Sequence, residues 1–122
     1  MNLFSDYDSA WLDGYQGTVA LRLQPEQAIA IYEAVLRKTD ARLTWERTSA
    51  LGHLAEAYAA KNERDVDHVC ALLYDVVALA QATGDRRGLE LVRRLRQRHL
   101  TRAAASQEVR RLDELLRAAI TR

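Results

Sequence analysis

The stretch that decides the fold runs from Thr48 to Gly84 and reads TSALGHLAEAYAAKNERDVDHVCALLYDVVALAQATG. Apolar residues recur in each half at the spacing of one helix face. These residues are Leu51, Leu54, Ala55 and Tyr58 in the first half and Val66, Val69, Leu73, Val76 and Ala80 in the second. Asn62 tolerates the backbone conformation of a helix end, Asp65 is suited to capping the next helix, and Gly84 ends it. We therefore predict two amphipathic helices joined by a short turn.

The same reading extends to the rest of the chain and predicts an all-α protein with no strand. Pro25, Asp40, Asp85 and Ser106 are the residues that signal helix starts. The predicted helices cover about 7–23, 25–38, 41–61, 66–83, 86–99 and 107–120. Six helices of this kind correspond to about three helical hairpins, and 122 residues are enough for a single domain with its own core.

Composition narrows the class of protein. Cys70 is the only cysteine, so no internal disulfide is possible, which suits a reducing compartment. The first residues lack the basic patch and apolar run of a signal peptide. No apolar run approaches the roughly 20 residues that a membrane span needs. We therefore expect a cytoplasmic protein with no membrane partner.

Part of the sequence repeats. Ala28, Tyr32 and Val35 match Val69, Leu73 and Val76 at a constant offset of 41 residues. Repeats of this length, near the ~40–47 residues of HEAT-type arrays, bury their apolar faces by stacking. We therefore predict antiparallel hairpins stacked in a short right-handed solenoid, with the last helix as the cap.

The residues also carry a family resemblance. LGHLAEAYAAKN (51–62) resembles the first helix of a tetratricopeptide repeat, and PEQAIAIYEAVL (25–36) resembles a second helix. The order of such segments from about Ser5 to Leu116 is similar to the C-terminal tetratricopeptide region of bacterial helix-turn-helix regulators of the Xre type. The resemblance implies the regulatory, sensing part of a transcription factor. The DNA-binding motif of that family has no counterpart here, so DNA binding does not follow from the resemblance.

The side chains capable of chemistry are few, namely His53, His68, His99 and Cys70. His68 and Cys70 lie two residues apart and so point to different sides of a helix. A tetrahedral zinc site needs four suitably spaced ligands, and a cysteine nucleophile needs an orienting base. We predict no enzyme activity, no metal and no cofactor, with Cys70 as a small buried residue.

The inner wall of a helical solenoid is its usual binding surface. The repeat geometry predicts that this groove is lined by Trp11, Gly14, Thr18, Ser49, Gly52, His53, Glu56 and Ala59. Its predicted occupant is a protein, a peptide or a small effector. The alternative is that these residues form only an exposed helix face.

Charge is divided unevenly along the chain. Residues 1–85 hold seven Lys/Arg and thirteen Asp/Glu, whereas residues 86–122 hold eleven and four. The basic residues of the fifth predicted helix are Arg86, Arg87, Arg93, Arg94, Arg96 and Arg98. One hypothesis is that this patch binds nucleic acid, although no aromatic residue lies among the arginines to stack on bases. The other hypotheses are a homodimer of acidic and basic ends, or a solvated face with no partner.

Overall fold

The computed structural model describes residues 24–61 and 65–121. Within these ranges the chain is all-helical, as predicted, and contains no strand. The helices are α1 (Pro25–Lys38), α2 (Thr44–Ala60), α3 (Val66–Thr83), α4 (Arg86–His99) and α5 (Gln107–Ile120), with a short 3₁₀ turn at Thr101–Ala103 before α5. Four of these ranges coincide with the predicted ones. The helix predicted at 7–23 and the helix end predicted at Asn62 lie outside the described residues.

The start of α2 differs from the prediction. Asp40 does not cap this helix. Its carboxylate accepts a hydrogen bond from the Arg42 backbone N–H at 2.8 Å and pairs with the Arg42 guanidinium, but the chain turns there, with the Leu43 N–H bonded to the Asp40 carbonyl, and the helix begins only at Thr44. Asp85 makes the same side-chain contacts with Arg87 and does cap a helix, so the backbone turn after Asp40, and not its side-chain bonds, separates the two positions.

The remaining predicted caps are confirmed. The side chains of Asp65, Asp85 and Ser106 each accept a backbone N–H in the first turn of α3, α4 and α5, at 3.0, 3.0 and 3.2 Å. Gly84 ends α3 with a left-handed backbone (φ 68°), which glycine adopts without steric cost. α3 and α4 are therefore separated by only two residues, and both ends of that connection are hydrogen-bonded.

The core lies between the last four helices. Its fully buried side chains from α3 to α5 include Leu73, Val76, Val92, Val109 and Leu112. A second, smaller cluster joins α1 to α2 through Ala28, Tyr32, Leu54 and Ala57. On α5, Leu115 points away from this core and is 40% exposed.

Helix α2 is buried on more than one face. The predicted stripe supplies Leu54 and Ala55, but Ala50, Ala57 and Ala59 are buried as well. Small side chains allow α1 to approach one side of α2 and α3 and α4 to approach the other. The order of contacts is regular: α2 touches α1, α3 and α4, and α3 touches α2, α4 and α5.

Candidate functional site

The predicted groove on α2 is largely closed. A Cβ at Gly52 would lie 2.6 Å from Leu91 Cδ2 of α4, and Ala59 is also buried. The prediction that these two residues line an open groove is therefore wrong, because α4 packs across that part of α2. Trp11, Gly14 and Thr18 lie outside the described residues.

Ser49 and His53 keep partial exposure on α2. The His53 imidazole stacks on the Tyr32 ring of α1, with centroids 5.2 Å apart and planes 17° from parallel. Burial lowers the pKa of His53, so this ring is neutral at physiological pH. What is left of the predicted groove is thus a small polar patch beside the α1–α2 contact.

Glu56 joins α2 to the end of α4. Its Oε2 lies 2.9 Å from His99 Nε2 and accepts a hydrogen bond from the Arg98 guanidinium at 3.2 Å. The hydrogen bond with His99 is the main cause that holds the pKa of Glu56 below its ordinary value. Only 15% of the Glu56 side chain is exposed. Glu56 therefore links two elements of the fold and offers little to a ligand.

One arginine of the predicted basic patch is structural. Arg96 makes a two-pronged ion pair with Asp113 of α5, with N–O distances of 2.8 and 2.9 Å. The Arg96 side chain is only 20% exposed. Its assignment to an exposed patch is corrected, because the guanidinium faces the α4–α5 interface.

The other five arginines of the patch lie on the exposed side of α4. Arg87 pairs with Asp85 and covers the Trp45 ring at 4.2 Å, Arg93 pairs with Glu90, and Arg98 pairs with Glu56. Arg86 and Arg94 have no ion-pair partner among the described residues. This face of α4 therefore keeps uncompensated positive charge.

A cleft of about 420 Å³ lies where the end of α3, the outer side of α4 and the end of α5 meet. Its apolar lining includes Ala80, Leu89, Ala119 and Ile120, and its polar lining includes Arg86, Glu90 and Arg93. Ile120 is 47% exposed, the most open large apolar residue in the described part of the chain. The volume falls within the roughly 300–1,000 Å³ of ligand-binding pockets.

The sequence patterns did not indicate this cleft, because its apolar residues belong to three helices that are distant in sequence. The signal that was present is the mixture of Leu89 with Arg86 and Arg93 on one helix, since apolar and basic residues at i, i+3 and i+7 share a face.

No group of three potential metal ligands occurs between residues 24 and 61 or between 65 and 121. Cys70 is fully buried, and burial raises the pKa of its thiol to about 11, so it stays protonated at neutral pH.

Helix α3 (Val66–Thr83) meets the length and composition criteria for crossing a membrane, with a mean hydropathy of 1.2. It is also the helix that contributes most to the core, through Val69, Cys70, Leu73, Val76, Val77 and Ala80. Buried core helices satisfy the same criteria, so this observation gives only weak support for a membrane span.

In comparisons with protein-family models, curated proteins and solved structures, none matched this chain.

Proposed function

We propose that this chain is a non-catalytic scaffold that binds a protein or peptide partner. Its architecture would be a short right-handed stack of tetratricopeptide-like antiparallel hairpins, capped by α5. The observation that carries this proposal is the overlapping order of contacts, in which α2 and α3 each touch the next two helices along the chain. Stacked repeats produce that order, because each repeat contacts only its neighbours.

The biological setting that we propose follows from the sequence resemblance. A tetratricopeptide-like region similar to that of Xre-type regulators would act as the sensing half of a bacterial transcriptional regulator in the cytoplasm. Binding of a partner would then be its role.

Peptide selection followed by NMR mapping tests this proposal. Peptides would be selected on the purified chain from a displayed library, and the strongest would be titrated into ¹⁵N-labelled protein. We expect saturable binding, with shift changes forming one continuous surface across at least two helices. Failure to select any saturable binder would contradict the scaffold proposal.

Nucleic-acid binding is the second candidate function. It is favoured by the five exposed arginines of α4, and it predicts affinity that falls steeply with salt. Against it, Arg87, Arg93 and Arg98 are engaged with carboxylates of this chain, and residues 86–121 contain no Phe, Tyr or Trp for base stacking. A gel shift with duplex and single-stranded probes at low salt decides between the two.

Homodimerisation is the third candidate, because the acidic and basic parts of the sequence are complementary in charge. Sedimentation velocity at several salt and protein concentrations would reveal it. A dimer of this kind must dissociate as salt screens the exposed charges.

A further inference from the structure

We propose that the cleft between α3, α4 and α5 binds an acidic amphipathic helix of a partner protein. This inference deepens the proposed scaffold function, on which it rests, by naming a site and a class of partner. The cleft lies at the end of the series of helix contacts, where α4 and α5 have no further helix against their outer sides within the described chain. A partner helix placed there would continue the stack.

The apolar part of the cleft fits the apolar face of a helix. Leu89 is half-buried, Ile120 is 47% exposed, and the small Ala80 and Ala119 leave room between them. Helix-in-groove recognition places residues at i, i+3, i+4 and i+7 of the partner into such a surface. Burial of Ile120 by the partner would remove apolar area from water, which is the main favourable term in association.

The arginines that line the cleft favour an acidic partner. Arg86 and Arg93 line the cleft two turns apart, about 10 Å along α4 at 1.5 Å per residue. Asp85 adds no free negative charge, because both its oxygens are bonded to Arg87. Glu90 lies between the two arginines and pairs with Arg93, and both of these side chains are more than half exposed. A partner with carboxylates seven residues apart would meet Arg86 and compete with Glu90 for Arg93.

The cleft is lined by both apolar and charged residues, which favours this partner over nucleic acid. A phosphate backbone would use the arginines but would leave Leu89 and Ile120 without a contact, whereas an amphipathic helix uses both parts of the cleft.

Fluorescence anisotropy with two matched peptides tests the proposal. The acidic probe is a fluorescein-labelled helical peptide with leucine at i, i+3, i+4 and i+7 and glutamate on both flanks. The basic probe has the same leucines and lysine in place of every glutamate. We expect the acidic probe to bind saturably at low salt and the basic probe to bind at least about tenfold more weakly, a difference of about 1.4 kcal/mol.

Two variants with matched controls locate the site. Ile120→Glu should weaken binding of the acidic probe at least about tenfold, because it places a carboxylate against the probe's apolar face. Leu115→Glu changes the other exposed large apolar residue of α5, which lies outside the cleft. The affinity of this variant for the acidic probe should stay within about twofold of the wild-type affinity. Arg86→Glu should weaken binding more than Arg110→Glu, since only Arg86 lines the cleft.

Glu90→Gln makes the opposite prediction. It removes the carboxylate that competes for Arg93, so the acidic probe should bind more tightly than it does to the wild-type protein. A gain in affinity is not an outcome of misfolding, which keeps this variant informative.

Several results would overturn the proposal. These are equal binding of both probes, no binding of either, equal losses in Ile120→Glu and Leu115→Glu, or no gain in Glu90→Gln. Displacement of the acidic probe by a short DNA duplex with no effect of Ile120→Glu would assign the surface to nucleic acid. Concentration-dependent sedimentation that Ile120→Glu abolishes would assign it to a second copy of this chain.

The failure of this inference can be told from the failure of the scaffold function. If library-selected peptides bind but their shifts map beside Ser49 and His53, the scaffold function stands and the cleft proposal falls. If no peptide binds anywhere, both fall.

Discussion

At the scale of single residues, the close helix approach that is hardest to relieve lies at Gly88. A Cβ there would lie 2.9 Å from Ala80 Cβ and 3.3 Å from Thr48 Cγ2, so α4 meets both α3 and α2 through this position. Neither neighbouring atom can swing aside, because a Cβ moves only with its backbone and Thr48 is buried. Gly88 therefore sets how closely three helices approach.

Gly88→Ala is expected to destabilise the protein. Overpacking costs about 1–3 kcal/mol, and the higher helix propensity of alanine returns about 1 kcal/mol. Gly52→Ala is the matched control, because its added methyl meets the end of the half-buried Leu91 side chain, which can rotate. Urea denaturation should show a larger loss in the free energy of unfolding for Gly88→Ala than for Gly52→Ala. The reverse order would refute the conclusion that Gly88 sets how closely the helices approach.

The lowered pKa of Glu56 predicts that the stability of the protein depends on pH. Its pKa in the folded protein lies below the ordinary value of a glutamate, chiefly because of the hydrogen bond with His99. A lowered carboxylate pKa adds stability that is fully present above the unfolded pKa and is lost as pH falls through the folded one. The free energy of unfolding should therefore fall more between pH 5 and about pH 3 for the wild-type protein than for Glu56→Gln. Parallel curves for the two proteins would show that the link between α2 and α4 adds nothing.

Residue-level signals were predictable where a single short-range bond decides the outcome. Asp65, Asp85 and Ser106 act as the predicted caps, because each needs only a free N–H two or three residues ahead. Asp40 makes the same side-chain bonds to Arg42 that Asp85 makes to Arg87, but the chain turns after Asp40 and the helix starts only at Thr44. The type of capping residue therefore did not predict where the backbone enters the helix.

At the scale of elements, α5 is held by polar contacts at defined points as well as by its apolar stripe. The Tyr74 hydroxyl of α3 donates to the Glu108 carbonyl at 2.6 Å, and Arg96 of α4 pairs with Asp113. These contacts fix the rotation of α5 against both neighbours.

Asp113→Ala is expected to cost about 1–2 kcal/mol. The pair is partly solvated, with side chains 20% and 30% exposed, so the loss lies between that of surface pairs and fully buried pairs. Glu114→Ala, at the neighbouring exposed position, should change stability by less than about 0.5 kcal/mol. A double-mutant cycle with Arg96→Ala measures the coupling, and a value near zero would show that the pair does not hold the helices together.

The periodicity of the sequence was sufficient for most elements, because an amphipathic helix needs one apolar stripe and a start and stop signal. α1, α3, α4 and α5 have these features and match their predicted ranges. The periodicity was not sufficient to predict the packing of α2, whose alanines are buried against three helices. Alanine is compatible with both exposed and buried positions, so the pattern of α2 could not reveal how many helices surround it.

At the scale of the whole molecule, the location of concave surfaces was the least predictable feature. The predicted groove depended on the side of α2 that faces α4, and the close approach at Gly52 covers it. The cleft arises from three helix segments distant in sequence, around Ala80, Leu89 and Ile120, whose meeting is a property of the packing. The acidic-helix proposal belongs to this scale, since it depends on how the end of the stack is formed.

The most direct test of the stacked-hairpin account is a NOESY spectrum of the uniformly labelled protein. The account predicts two contacts in the same molecule: from Gly88 Hα to the Ala80 methyl group, and from Gly52 Hα to the Leu91 methyl groups. Together they place α4 against both helices of the preceding hairpin. Absence of both contacts in a protein that retains its helical circular dichroism would contradict the account.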